Sequence, residues 1–162
     1  YNDNPRDFLN SVNEGITGRI NSGFVTGLAG HFGARQKNGS RKLILSHAGH
    51  RQVLHYHKKE DRIELIELPN GTVMGLPGTA ASSAKSIDLQ IGDRFYAFTD
   101  GIVEASNPNG EEFGMKRVIG SLKKYANKPV QETIDALHAT VANYTKIPNQ
   151  QDDITILAFE LT

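Results

Sequence analysis

"FTDGIVEASNPNGEEFG", residues 98–114, is the stretch that decides how the chain is read. Phe95, Tyr96 and Phe98 form a buried-looking strand that runs straight into Thr99-Asp100-Gly101. A carboxylate at a strand end, followed by a residue with no side chain, leaves room for an ion or a water to approach. A second acidic pair, Asp152-Asp153, precedes the apolar run Ile154-Thr155-Ile156-Leu157-Ala158-Phe159. Carboxylates gathered at strand ends from remote segments suit a hard cation such as Mg²⁺ or Mn²⁺, which favours oxygen ligands. The competing reading makes Asp100 and Asp153 plain turn or cap residues.

Working outward, the pattern is helix, many strands, two helices, strand. Asn4-Pro5 opens a helix expected over 4–21, with Phe8, Val12, Ile16 and Ile20 as its apolar stripe. Lys37-Asn38-Gly39-Ser40 lies between the strand-like runs 24–29 and 43–45, a strong hairpin signal. Val53–Tyr56 and Ile63–Leu68 are expected as strands around the charged turn Lys58-Lys59-Glu60-Asp61, and Ile87–Ile91 as a half-buried strand. Helices are expected near 114–126 and 130–145, with Val118, Ile119 and Leu122, and Val130, Ile134, Leu137 and Val141, facing inward. Hairpin-linked strands with segregated helices predict an α+β domain built on antiparallel sheet.

Composition narrows the function. The 162 residues fit one domain, and 38% are hydrophobic, enough for a core. Charge balances at 18 against 18, which argues against nucleic acid or an anionic membrane as partner. No run approaches the ~20 apolar residues of a membrane span. Cysteine is absent, which excludes thiolate catalysis and is compatible with a reducing cytoplasm. His47, His50, His55 and His57 hold four of the six histidines. Without thiolates or an HExxH helix, they are expected not to converge on zinc, and His55 and His57 are expected on one solvated strand face. Gly75-Leu76-Pro77-Gly78 reads as a turn rather than a phosphate cradle, because no GxxxxGK[ST] follows it.

Residues 98–114 resemble the signature of the SpoIIE/RsbU-type branch of the PPM (PP2C-like) metal-dependent phosphatases. "QQDDITILAFEL" (150–161) resembles that family's closing strand. "SHAGHRQVL" (46–54) resembles its Asn-Ala-Gly-His-Pro segment, and "GTVMGL" (71–76) its Gly-x-Pro-Leu-Gly-Leu segment. The opening "PRDFLNSVNEGI…GFVTGLAGHF" resembles the helix and strand that precede them, so the likeness spans the chain in order. It implies a four-layer α-β-β-α sandwich of two mainly antiparallel sheets, N-terminally incomplete over residues 1–162. It implies Asp100 and Asp152 as ligands of a Mn²⁺ or Mg²⁺ pair, with Gly101, Glu104 and Asp153 supporting them or reaching a further metal. It implies a protein-serine/threonine phosphatase acting on a phosphorylated regulatory protein of the anti-sigma-antagonist type, in the bacterial cytoplasm, behind a sensor or receiver domain. The family's Gly-Asp and Asp-x-x-Gly-His metal-binding stretches lie ahead of the first helix, and this chain begins after them. A non-catalytic module that binds a regulatory partner is the alternative.

Overall fold

The computed structural model describes residues 3–146 and 153–162. Its elements are α1 (Pro5–Ile16), β1 (Gly27–Phe32), β2 (Arg41–Ala48), β3 (Val53–His57), β4 (Arg62–Leu65), β5 (Lys85–Leu89), β6 (Arg94–Phe98), a 3-10 turn (Asp100–Ile102), α2 (Gly114–Lys124), α3 (Val130–Thr145) and β7 (Ile156–Glu160). They form two antiparallel sheets, β1-β2-β5 and β4-β3-β6-β7, as the α+β expectation requires. The chain divides into two compact units, one of residues 1–51, 66–91 and 162, the other of 52–65 and 92–161.

In the first unit, α1 packs on β1 and β2. The helix starts where Asn4 caps the Arg6 amide ahead of Pro5. It ends at Ile16, short of the expected Asn21, because Thr17 leaves helical geometry (ψ 129°). Its buried stripe is also one residue away from the expected one. Leu9 is buried, with Val12 and Ile16 packed beside it, whereas Phe8 is 50% exposed. The polar member of the true stripe, Asn13, hid it from a hydrophobicity reading. Asn13 is buried because it works as a clamp: its amide donates to the carbonyls of Leu76 (3.2 Å) and Gly78 (2.8 Å), and its oxygen accepts from Gly75 N–H (2.7 Å). Asn10 holds Ala81 N–H at 3.0 Å in the same manner. The loop 69–83 is therefore ordered by the helix, and the Gly75 amide is committed to Asn13 rather than open to a phosphate. Gly71 has no room for a side chain, since a Cβ there would lie 2.6 Å from the His47 carbonyl. The Asn38-Gly39 hairpin forms as expected, with Gly39 at φ +82°, although the strands run 27–32 and 41–48.

In the second unit, one face of the four-stranded sheet carries Leu54, Tyr56, Tyr96, Phe98, Ile156 and Ala158 toward Ile102, Phe113, Val118, Leu122, Leu137 and Val141. Each fully buried large side chain contributes about 2 kcal/mol. On α3 the inward residues are Thr133, Leu137, Val141 and Thr145, so Thr133 replaces the expected Val130 and Ile134. The reason is Arg94, which lies on the helix-facing side of β6. Its guanidinium reaches Thr133 Oγ1 (3.2 Å), the Lys128 carbonyl (2.6 Å) and Glu160 Oε2 (2.6 Å), so the start of α3 meets a charge rather than a methyl group.

Candidate active site

β6 delivers Asp100. The strand ends at Phe98, and Asp100 opens a 3-10 turn in which its own carbonyl accepts the amides of Val103 (2.8 Å) and Glu104 (3.0 Å). Gly101 and Ile102 are buried, while Asp100 and Glu104 are exposed. The turn is thus anchored by Ile102 and closed by backbone bonds alone. Among the described residues, no hydrogen bond or ion pair engages the Asp100 carboxylate, so it does no capping work there.

Thr99 joins this turn to the closing strand. Its hydroxyl donates to the Asp153 carbonyl (3.0 Å) and accepts from Thr155 N–H (3.0 Å), while its own N–H donates to the Thr155 carbonyl (3.1 Å). β6 and β7 pair antiparallel with Phe98 opposite Ile156. The backbones of Asp100 and Asp153 therefore lie at one end of one sheet, although 53 positions separate them in sequence. Asp152, the other expected ligand, lies outside the described residues. An exposed carboxylate on an anchored turn offers hard oxygen donors, the kind that suit Mg²⁺ or Mn²⁺.

The rest of the opening stretch positions this turn. Asn107 accepts the amides of Asn109 (2.9 Å) and Glu111 (3.0 Å), which shapes the 106–112 loop. The loop returns so that Phe113 N–H reaches the Ala105 carbonyl (2.7 Å) and Gly114 N–H the Val103 carbonyl (2.9 Å). Phe113 is buried against Tyr144 with ring centroids 5.3 Å apart. Glu111-Glu112-Phe113-Gly114 is thus a clasp that fixes the Asp100 turn to the core.

The histidines depart from the sequence expectation. His47 sits in the first unit, buried, with Nε2 2.7 Å from the Pro69 carbonyl. His55 and His57 do share a face of β3, but not a solvated one: His55 is 2% exposed and its ring centroid lies 3.7 Å from that of His57. With Glu64 they form a cluster whose ligand atoms all lie within 4.8 Å of one another. Two of the four rings therefore converge, with a carboxylate as third member. The cause is register, which pairs His55 with Glu64 across β3 and β4. His55 Nε2 is also bonded to the buried Asp93 Oδ2 at 2.9 Å. Burial pushes the His55 pKa below its usual value despite the Asp93 bond. The Arg62 guanidinium, helped by His57, holds the Glu64 carboxyl below the ordinary carboxylate range.

The model of the family described as stage II sporulation protein E (SpoIIE) matches residues 2–162. The chain belongs to the SpoIIE family. Among solved structures, the SpoIIE-family chain is similar to the RsbU and RsbW domains of a Mycobacterium tuberculosis protein, at 20% identity and a TM-score of 0.73 over 96% of this chain and 41% of that one. It is similar to the SiaA-PP2C domain of Pseudomonas aeruginosa, at 26% identity and a TM-score of 0.53 over 76% of this chain and 51% of that one. It is also similar to the manganese-presoaked SpoIIE phosphatase domain of Bacillus subtilis, at 16% identity and a TM-score of 0.57 over 83% of this chain and 56% of that one. No curated protein matches. The chain thus spans about half the length of the structures it resembles. It has the PP2C-like phosphatase fold. Among the described residues, no helix is long and apolar enough to cross a membrane.

Proposed function

We propose that this chain is the C-terminal part of a metal-dependent serine/threonine phosphatase domain. Its target is a phosphorylated regulator of the anti-sigma-antagonist type, met in the cytoplasm behind a sensor or receiver domain. The observation that supports the reading is the Thr99 clamp, which ties the turn bearing the exposed Asp100 to the backbone of residues 153 and 155. Asp100 and Asp152 would hold a pair of Mn²⁺ or Mg²⁺ ions. Gly101 would put no side chain in the way of an ion at Asp100, and Glu104 and Asp153 would add negative charge there. Such a pair, when bound, supplies a water of lowered pKa and neutralises phosphoryl charge.

This chain's own residues have three tasks. Asp100 would present oxygen donors from a turn anchored by the buried Ile102 and Phe113. Thr99 fixes the spacing between that turn and residues 153–155. The exposed rim of Asp100 and Glu104 leaves the site open to a protein-borne phosphate. The family's Gly-Asp and Asp-x-x-Gly-His stretches, expected ahead of α1, would complete the ligand set.

The test compares Mn²⁺-dependent hydrolysis of an aryl phosphate and a phosphoserine peptide by an N-terminally extended form, its Asp100→Asn variant and the chain itself. The extended form should turn over, the variant should not, and the chain should act only marginally, because two carboxylates under-neutralise two dications. An extended form that is inert with every metal tried yet retains a regulatory protein would assign the domain to partner binding instead.

A further inference from the structure

The cluster at the other end of the four-stranded sheet has no task in phosphoryl transfer. His55, His57 and Glu64 lie on one sheet face, two from β3 and one opposite on the edge strand β4. Asp93, just before β6, closes the group. The length of β6 sets it about 20 Å from Asp100.

The chemistry of the group is that of a ligand set with its outer partner in place. A carboxylate only accepts hydrogen bonds, so the 2.9 Å contact to Asp93 assigns the proton to His55 Nε2 and leaves Nδ1 as a lone-pair donor. Asp93 is itself fixed, since its other oxygen accepts the Lys58 amide at 2.9 Å. A buried carboxylate that orients a histidine is the usual outer partner of a metal-bound imidazole. His57 Nε2 lies 3.0 Å from Glu64 Oε1, yet it makes no well-aligned hydrogen bond there. The other oxygen of Glu64 is taken by Arg62, which leaves Oε1 turned toward the two rings.

We propose that His55, His57 and Glu64 bind a zinc-class divalent cation, with Asp93 as the group that orients His55. Two imidazoles and one carboxylate match zinc's preference for nitrogen and oxygen donors and leave a fourth position for water. Ligands bonded at ~2.1 Å in a tetrahedron are ~3.4 Å apart, so the cluster closes on a cation by side-chain rotations of about 1 Å. His57 is partly exposed and Glu64 nearly half exposed, which gives the ion a way in. Arg62 opposes the incoming charge, and Asp93 and Glu64 outweigh it. The bound ion ties the edge strand to its neighbour and acts as a structural staple. Manganese and magnesium, which prefer oxygen ligands, should leave this site alone.

The experiment is calorimetry of Zn²⁺ binding to the chain in excess Mg²⁺, with Co²⁺ visible absorption as the reporter of coordination geometry. The wild-type chain and Asp100→Asn should each take one equivalent with tetrahedral Co²⁺ bands. His57→Ala and Glu64→Gln, both at partly exposed positions, should bind at least about 10-fold more weakly. Hydrogen exchange of the β4 amides should slow with Zn²⁺ in the wild type and not in His57→Ala. Unchanged Zn²⁺ binding in both cluster variants overturns the proposal, and so does loss of the equivalent in Asp100→Asn.

Discussion

The two ends of the β4-β3-β6-β7 sheet treat their carboxylates in opposite ways. At the end where β6 stops, Asp100 stands exposed on a turn closed entirely by backbone bonds. At the end where β6 begins, Asp93 is 2% exposed and spends both oxygens on the fold, one on His55 and one on the Lys58 amide. The strand between them is the same five residues. Asp93 is buried with the donors it holds, while Asp100, proposed here as a metal ligand, is presented on a turn that other residues hold.

That contrast can be broken first at the buried end. Asp93→Ala leaves the buried His55 Nε2–H and the part-buried Lys58 amide without their acceptor, and should cost about 3 kcal/mol in denaturant unfolding. A loss under 1 kcal/mol would mean that water replaces the carboxylate and the end is less closed than it looks. At the open end, Thr99→Val removes the hydroxyl that bonds the Asp153 carbonyl and the Thr155 amide, with little change of shape. It should cost about 1–2 kcal/mol and speed hydrogen exchange at Thr155 before it affects the remaining core. Exchange that rises equally over the whole sheet would deny Thr99 its local role.

A smaller effect separates the ends by pH. The folded His55 pKa lies below its unfolded value of 6.5 because burial disfavours the cation. The unfolded chain therefore binds more protons between those two values, and stability should fall as pH drops below about 6.5. His55→Asn should flatten that part of the pH–stability curve, and an unaltered slope would place its origin elsewhere. Smallest of all is the stability change for Asp100→Asn, within about 0.5 kcal/mol, because the exposed carboxylate bonds no group among the described residues.

The sequence made the open end legible and the buried end obscure. The exposed turn at Asp100 could be read because a strand of aromatics breaking into Thr-Asp-Gly is a local pattern, and the Asn107 loop and Phe113 follow within 13 residues. The antiparallel sheets followed from Asn38-Gly39 and the charged 58–61 turn, and both strand pairs formed. The His55 cluster depends on which residue β4 sets opposite which, and that register is fixed by the turn and the helix-facing side rather than by the histidines. Burial of His55 likewise could not be read, because alternation places it on a face without saying what covers that face. The same gap displaced the stripe of α1. Leu9 and Asn13 form the inward row only because loop 75–78 needs Asn13, a partner 62 positions away from it at Gly75.

Mn²⁺-dependent phosphate release by the N-terminally extended domain, with and without Asp100→Asn, at matched metal and with folding checked by unfolding midpoint, tests the role of Asp100 most directly. Loss of turnover by more than the about 10–100-fold that an outer partner of a metal ligand costs, at an unchanged midpoint, is the expected result. Full turnover in Asp100→Asn would contradict it and return Asp100 to the role of an ordinary turn residue.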